Sequence, residues 1–501
     1  MHASRQPAGG PPLAAEDADR VDPAVWRTAF TVIVGALAVV FDTTIVSVAL
    51  NDLHTELDAP LGTIQWVSTG YLLAMFVTIP IAGWAQTRFG GRRLWIASLG
   101  VFLLGSLLCA VAWNAYSLIA FRVVQGIGGG VMMPLMMTLV MQAAQGRNIG
   151  KVIATISLPA ALGPILGPVL GGVILQVADW RWLFLVNVPF CTVGAWLALR
   201  NLPADPPRGR APLDVVGFLL VSPGVAAIIY GLTQTEGDAG FVSARVLGPL
   251  LGGLVLVTAF VARALRRPSG AALIDLRLFR NGPTASASAL GFLTGAALYG
   301  AMLLLPLYWQ QVRGEDALGA GLLLIPQGIG ALVSRGLAGR AMDRYGPRVV
   351  AMVGFAVCCV GTVPFAFATD DTATGLLLAA LFVRGLGLGA AMIPLAGAAY
   401  SGLTSKQIPD ASIVTRVAQQ LGGSVGTAVL AVVLQRTAAG AHTPAALADG
   451  YDQAFWWAVA FTALAVPLCL LLPGRPAAAD ARRPAKAVAD ACTGVEPTAR
   501  T

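Results

Sequence analysis

The sequence predicts an all-α integral membrane protein with about fourteen transmembrane helices, arranged as two six-helix pseudo-repeat bundles with two linker helices between them. Of the 501 residues, 56% are hydrophobic and 12% are charged, whereas soluble domains carry about 25% charged residues. The mean hydropathy is +0.74. The apolar residues gather in segments long enough to cross a bilayer, which takes about 20 residues. Short passages from the first half of the chain also recur in the second half.

The apolar segments follow one another along most of the chain. A short polar joint at 145–150 leaves the division between the fourth and fifth segments open. We place the predicted spans at 28–50, 64–84, 93–112, 116–143, 149–176, 182–200, 213–234, 245–265, 283–308, 318–341, 348–368, 374–403, 408–435 and 453–473.

The net charge of +8 follows from membrane topology. Connections on one predicted side are rich in basic residues such as Arg88, Arg92 and Arg348, whereas those on the other side carry acids such as Asp52 and Asp370. Because Lys and Arg concentrate on the cytoplasmic side, we expect both termini in the cytoplasm. A nucleic-acid partner is not expected.

Two passages recur at an offset of eight spans. The joint Gly83-Trp-Ala-Gln-Thr-Arg-Phe-Gly-Gly-Arg-Arg matches Gly339-Arg-Ala-Met-Asp-Arg-Tyr-Gly-Pro-Arg at its Gly, Ala, Arg, aromatic, Gly and Arg positions. A weaker echo relates Arg122-Val-Val-Gln-Gly in span 4 to Arg384-Gly-Leu-Gly in span 12. Two six-span halves separated by two extra spans would give this offset, and transporters are built from such repeats.

The repeat gives a predicted domain organisation. A cytoplasmic N-terminal tail occupies 1–27, the first six-helix bundle 28–200, a linker with two extra helices 201–282, the second bundle 283–473, and a disordered cytoplasmic tail 474–501.

The fifth span has an unusual pattern of glycine and proline. Gly163, Gly167 and Gly171 recur every four residues, so they form a bare stripe that another helix can approach closely. Pro164 and Pro168 each remove a backbone donor and bend the helix. The bare stripe and the bend together predict a moving or occluding element. The motif ends at Gly172.

These motifs together resemble the major facilitator superfamily, and in particular its fourteen-span drug:proton antiporters. The joint at 83–93 resembles the family's loop signature and 339–348 its second copy. Arg122 to Gly128 resembles the span-4 signature, and the span-5 stripe resembles the signature of antiporters. One departure is Thr87, which stands where the loop signature has an acidic residue.

The resemblance implies proton-coupled efflux of hydrophobic drugs or antibiotics by alternating access across a bacterial cytoplasmic membrane. The duplication of the two joints in register favours a gating role for them, although their arginines could instead be plain positive-inside anchors. The predicted gating residues are Gly83, Arg88, Gly90, Arg92, Gly339, Asp343, Arg344 and Gly346.

Two charged residues in the spans are candidates for proton coupling. Asp42 lies in span 1 and Arg122 in span 4, and a charge at the bilayer centre costs about 2.5–3.5 kcal/mol on insertion scales. Asp42 could take up and release a proton, or could serve as a structural hydrogen-bond or ion-pair partner. Arginine stays protonated in proteins, so Arg122 could hold a carboxylate or an anionic group, or could extend to the outer surface.

Further residues are candidates for the substrate pathway, although aromatic belts at span ends and ordinary packing are alternatives. For the intramembrane residues Arg384 and Arg416, a functional role and helix pairing both remain open. The possible pathway residues are Trp66, Tyr71, Gln125, Tyr299, Trp309 and Arg384.

No phosphate-binding loop is present, so we expect the proton gradient to supply the energy, with no cofactor or metal. The expected partners are a small hydrophobic or cationic organic substrate such as an antibiotic, protons and the lipid bilayer, with the protein working as a monomer. An uptake carrier on the same scaffold is the alternative. An enzyme is not expected, because clustered histidines, paired carboxylates and a large soluble domain are all missing from the sequence.

Overall fold

The computed structural model describes residues 22–46, 49–144, 152, 156, 158–203, 212–234, 243–268, 271–315, 317–404, 407–438 and 443–474. Within these segments all regular structure is helical. Thirteen of the described helices are long and apolar enough to cross a membrane, and Leu158–Val177 is a further helix of 20 residues. The all-α membrane fold predicted from the sequence is confirmed.

The long helices are numbered α1 to α14 in chain order. Several are interrupted by a residue or by a short 3₁₀ segment. Their bounds are α1 Pro23–Ile45, α2 Leu61–Thr78 continued by Ile79–Ile81 and Ala82–Phe89, α3 Gly91–Ala110, α4 Ala115–Ala144, α5 Leu158–Val177, α6 Trp182–Leu185 and Asn187–Asn201, α7 Val215–Thr233, α8 Ala244–Arg266, α9 Gly282–Gln311, α10 Ala317–Leu323 and Ile325–Tyr345, α11 Pro347–Thr362 continued by Val363–Phe367, α12 Thr374–Ala399, α13 Ile408–Thr437, and α14 Pro444–Leu468 continued by Cys469–Leu471.

Helix α1 begins earlier than predicted. The Asp22 carboxylate accepts a hydrogen bond from the Ala24 N–H at 2.7 Å, and Pro23 occupies the first helical position. Both residue types are favoured there because the N–H groups of a first turn lack partners within the helix. The helix therefore spans Pro23–Ile45 instead of 28–50, and Asp42 lies in its last turn. The predicted tails fall mostly outside the described residues.

Six helices on each side of α7 and α8 form a bundle. In the N-terminal bundle (α1–α6), α1 packs against α4, α5 and α6, while α4 packs against α2 and α3. In the C-terminal bundle (α9–α14), α9 packs against α12, α13 and α14, while α12 packs against α10 and α11. Glycines allow the closest approaches: a Cβ at Gly126 of α4 would meet the carbonyl oxygen of Tyr71, and one at Gly385 of α12 would meet that of Gln327.

The two repeated joints adopt the same conformation. Gly90 has φ 86° and ψ 156°, and Gly346 has φ 84° and ψ 163°. A side chain is disfavoured at such positive φ values, which explains glycine at both positions. The arginine two residues later makes an equivalent contact in each copy: Arg92 Nη2 donates to the Leu199 carbonyl at 2.6 Å, and Arg348 Nε donates to the Leu472 carbonyl at 2.9 Å. The end of the bundles that carries these two turns is termed the basic end.

The two bundles meet at the basic end. Thr138 of α4 donates a hydrogen bond from Oγ1 to Ser412 Oγ of α13 at 3.2 Å. A Cβ at Gly83 would lie 3.2 Å from Ile413 Cδ1 and 3.4 Å from Asp410 Oδ1, so α2 and α13 are also close. A second contact between the bundles is made by α5, which packs against α10.

Helix α7 lies across the seam between the bundles. Val225 belongs to the same buried cluster as Phe76 of α2 and Val414 of α13. The ring of Tyr230, also on α7, lies 5.7 Å from the ring of Trp66 on α2. The first linker helix therefore contacts both bundles through apolar surface.

Asp214 ties the start of α7 to the end of α8. Its carboxylate accepts hydrogen bonds from the Gly217 N–H at 3.1 Å and from Arg263 Nη2 at 3.0 Å. Burial acts to raise the pKa of Asp214, but these hydrogen bonds and the charges of Arg263 and Arg267 outweigh it and hold the pKa below its usual range. Asp214 is therefore ionised at neutral pH, and its ion pair fastens the linker helices together.

Candidate functional site

A buried polar cluster lies inside the N-terminal bundle, towards the helix ends opposite the basic end. Its members are Asp42 of α1, Ser106 of α3, Arg122 and Gln125 of α4, and Asn187 of α6. Arg122 is 1% exposed and the other four are 0% exposed. Since unpaired polar groups are costly in such surroundings, their partners decide what the cluster can do.

Both oxygens of the Asp42 carboxylate accept hydrogen bonds. Arg122 Nη1 lies 2.5 Å from Oδ2, which makes a fully buried ion pair. On Oδ1, Gln125 Nε2 donates at 2.8 Å and Asn187 Nδ2 at 3.1 Å. All three contacts are donors, so the arrangement fits an ionised carboxylate.

The guanidinium of Arg122 is held from several sides. Its Nη1 also donates to Gln125 Oε1 at 2.7 Å, and its Nε donates to the Val67 carbonyl of α2 at 3.1 Å. The Tyr71 ring lies against it, with Cζ 4.0 Å from the ring centroid. An aromatic face attracts a cation at this distance. Helices α1, α2 and α4 therefore converge on one positive charge.

Two members of the cluster were not among the predicted site residues. Ser106 Oγ accepts hydrogen bonds from Gln125 Nε2 at 2.7 Å and from Asn187 Nδ2 at 3.1 Å. Both residues are small polar groups inside apolar spans. Asn187 stands in the passage Trp-Arg-Trp-Leu-Phe-Leu-Val-Asn-Val-Pro. Its polar side chain was the sequence signal that could have marked it as a site residue.

Asp42 is the acidic side chain of the cluster. Arg122 retains its charge, so Asp42 is the group able to accept a proton. While Arg122 and the two amides occupy its oxygens, the carboxylate has its donors in place and no exposed surface.

The glycine stripe of α5 packs on the part of α1 that carries Asp42. A Cβ at Gly163 would meet Val40 Cγ1, one at Gly167 would meet Thr44 Oγ1, and one at Gly171 would lie 3.0 Å from Ile45 Cγ1. Thr44 Oγ1 also donates to the Gly163 carbonyl at 3.1 Å. The α1 residues on both sides of Asp42 are thus held against the backbone of α5.

The other members of the span-5 motif differ from the stripe. A Cβ at Gly172 would have no atom within 4 Å, so this glycine does not take part in the close contact. The side chains of Pro164 and Pro168 lie outside the described residues.

The predicted gating residues gather at the basic end. Arg88 and Arg344 are exposed there, while Arg92 is half-buried and Gly339 is buried in α10. The Asp343 side chain lies outside the described residues. A gating role for these residues stays a prediction, now with the contacts of Gly83 to α13 beside it.

The six predicted pathway residues do not form one group. Tyr71 and Gln125 belong to the Asp42 cluster. Trp66 is 39% exposed and faces α7. Tyr299 is half-buried and packs against α13, where a Cβ at Gly423 would lie 2.5 Å from its Cδ2.

Arg384 and Trp309 lie apart in the C-terminal bundle. Arg384 is buried and donates to Gln327 Oε1 at 2.7 Å and to the Ala297 carbonyl at 2.9 Å. Trp309 is buried in an aromatic cluster, with its ring 5.7 Å from that of Tyr308. It is twelve residues beyond Ala297 on α9, which corresponds to about 18 Å along a helix.

Comparisons with known proteins agree on one family. The sequence profile of the Major Facilitator Superfamily matches residues 32–427 of the chain. The chain is 40% identical over 418 residues to a multidrug resistance protein B homolog of Mycobacterium tuberculosis, covering 83% of this chain and 77% of the relative. It is 28% identical over 411 residues to the tetracenomycin C resistance and export protein of Streptomyces glaucescens, covering 82% and 76%.

The fold is similar to that of solved transporters. A crystal structure of a double-tryptophan mutant of XylE superposes with a TM-score of 0.64 at 15% sequence identity, covering 90% of this chain and 96% of that one. At this identity the likeness concerns the fold alone.

Proposed function

The chain belongs to the Major Facilitator Superfamily, and we propose that it exports a small organic compound, such as an antibiotic, in exchange for protons. Its relatives include proteins named for multidrug resistance and for tetracenomycin C resistance and export. The proposed location is the bacterial cytoplasmic membrane, with the basic end and both termini in the cytoplasm. The transporter works as a monomer and needs no cofactor beyond the proton gradient.

The observation that carries the proton-coupling part of this proposal is the buried Asp42–Arg122 ion pair. A carboxylate with no exposed surface, paired with a permanent cation, can be charged or neutral according to where the cation stands. When Arg122 withdraws, Asp42 takes up a proton from the outer side. When Arg122 returns, the proton leaves towards the cytoplasm.

The contacts of α5 link this exchange to the movement of the bundles. The α5 stripe touches α1 on both sides of Asp42, and α5 also packs against α10 of the other bundle. A rotation of one bundle against the other therefore changes the packing next to Asp42. Alternating access and proton exchange share this element.

The proton gradient is large enough for export. At a membrane potential of about 150 mV, moving one charge inward releases on the order of 3.5 kcal/mol. That energy supports a concentration ratio of about 400-fold for each proton exchanged.

Efflux in everted membrane vesicles tests the proposal. Vesicles with the native protein should accumulate tetracenomycin C when a proton gradient is imposed, and an uncoupler should abolish the accumulation. Asp42→Asn should lose gradient-driven accumulation, because the amide cannot carry a proton.

Asp214→Asn is the matched control, because it removes a second aspartate that pairs with arginine but lies outside the cluster. It should transport at close to the native rate. Native-rate transport by Asp42→Asn under a pH gradient would eliminate Asp42 as the coupling group. Accumulation without any gradient would refute antiport.

A further inference from the structure

Two arginines of the C-terminal bundle lie within its membrane-spanning helices. Arg384 is 2% exposed and Arg416 of α13 is half-buried. Arg384 donates to the Gln327 side chain and the Ala297 carbonyl, and Arg416 Nη1 donates to Gln419 Oε1 at 3.1 Å. The Nε of each arginine is buried without a hydrogen-bond partner. Among the described side chains, neither arginine has a carboxylate within ion-pair distance.

The internal repeat shows where a carboxylate partner of Arg384 would be expected. Arg384 occupies the position in α12 that Arg122 occupies in α4, and each points to the first helix of its own bundle. Arg122 meets the Asp42 carboxylate there, whereas Arg384 meets only the backbone carbonyl of Ala297. The C-terminal bundle thus keeps the cation of the pair without its anion.

Arg416 lies on the face of α13 that is turned to the N-terminal bundle. Ser412, one helical turn before it, bonds directly to Thr138 of α4, and residues four apart lie on the same face of a helix. Beyond this contact, residues 415–421 are all half-buried, so the packing around α13 is looser there.

The charge balance around this seam favours an anionic ligand. The Asp42 carboxylate is neutralised by Arg122 and saturated by amide donors, so it offers little to a cationic substrate in this arrangement. Arg416 carries a charge and a buried donor without a partner, one helical turn from the contact of Ser412 with the N-terminal bundle. An unpaired charge in a membrane interior is costly, and an incoming anion would offset that cost.

We propose that Arg416 binds the acidic group of the transported compound, so that the preferred substrates are apolar organic acids, such as carboxylates or phenolates, rather than cations. The inference rests on the proposed export function and narrows its substrate class. The planar guanidinium suits a carboxylate because it can donate two parallel hydrogen bonds. The apolar remainder of the substrate would lie between the bundles.

Binding to the purified protein tests this substrate class. The native chain is placed in nanodiscs of uncharged phosphatidylcholine, and the affinities of naphthoate, anthracenecarboxylate and pyrenebutyrate are each compared with that of the corresponding primary amide. The acids fluoresce, and empty nanodiscs provide the blank. We expect the native protein to prefer the acids by about 10-fold or more.

Variants of Arg416 separate a binding role from a structural one. Arg416→Gln should lose about 10-fold or more of this preference, and Arg416→Lys should keep part of it, because the charge remains while the fork is lost. Arg436→Gln, an exposed position on the same helix, should behave like the native protein. Thermal unfolding of each variant verifies that it is folded.

Three outcomes would overturn the inference: no preference of the native protein for any acid, an undiminished preference in Arg416→Gln, or an equal loss in Arg436→Gln. The binding measurement needs no gradient, so its result is independent of the vesicle experiment. Gradient-driven export without a preference for acids would refute this inference alone. Acid binding without gradient-driven export would refute the proposed function alone.

Discussion

Asp42 is held by one charged donor and two neutral amide donors, and these have different strengths. Arg122 supplies the charge, while Gln125 and Asn187 orient the carboxylate oxygen that faces away from it. Hydrogen bonds to a charged group contribute about 1.5–3 kcal/mol, compared with about 1 kcal/mol for a neutral pair. The amides therefore matter for stability as well as for geometry.

Replacement of Asn187 tests this difference. Asn187→Ala should lower the free energy of unfolding by about 1.5–3 kcal/mol, because Asp42 loses a donor inside the bundle. Asn201→Ala is the matched control on the same helix, where Nδ2 donates to the neutral Thr31 Oγ1 at 3.0 Å, and should cost about 1 kcal/mol. Unfolding in mixed detergent micelles measures both. Equal losses would contradict a special role for the amide beside Asp42.

At the scale of helices, the close contact of α1 with α5 depends on three glycines of α5, which have no side chain to keep the helices apart. Gly163, Gly167 and Gly171 bring the α5 backbone against Val40, Thr44 and Ile45. Gly172, next in sequence to the last of them, faces open space. The stripe is therefore specific to one face of α5.

This asymmetry gives a controlled substitution experiment. Gly167→Leu must push α5 away from Thr44, and overpacking of this kind costs about 1–3 kcal/mol. We expect its efflux rate to fall about 10-fold or more with unchanged insertion in the membrane, whereas Gly172→Leu should transport normally. Vesicle transport and quantitative immunoblots provide the readouts. A fully active Gly167→Leu variant would show that the close contact is dispensable.

Residue chemistry made some features of the site predictable and left others hidden. Asp42 and Arg122 could be found because charges are rare in membrane spans. Ser106 and Asn187 could not, because uncharged polar residues are common in spans and their role depends on how each helix is rotated. The location of Trp309 was hidden for the same reason, because the sequence around an aromatic residue in a span does not distinguish a pathway position from a core position.

At the scale of the whole molecule, a polar contact between described residues joins the bundles at the basic end. The hydrogen bond between Thr138 and Ser412 crosses from α4 to α13 at 3.2 Å. Alternating access requires these side chains to separate in each cycle. The basic end is therefore a suitable place to lock the molecule.

A cross-link between these positions tests the need for separation. Thr138→Cys combined with Ser412→Cys should form a disulfide under oxidation, because the side chains already meet. Transport should then stop and should return with dithiothreitol. Thr31→Cys combined with Asn201→Cys provides the control, since these positions also meet but lie within one bundle. Native-rate transport by the oxidised Thr138–Ser412 pair would mean that the bundles need not part there.

The contacts of helix α7 with the two bundles that are described above are made by apolar and aromatic side chains. Val225, for example, lies in one buried cluster with Phe76 of α2 and Val414 of α13. In a bilayer such contacts are exchanged for lipid tails that are equally apolar, so sliding them apart carries no hydrophobic penalty. Polar contacts across the seam, by comparison, must be broken and satisfied anew. Helix α7 can therefore keep the two bundles aligned while adding little resistance to the rotation of one against the other.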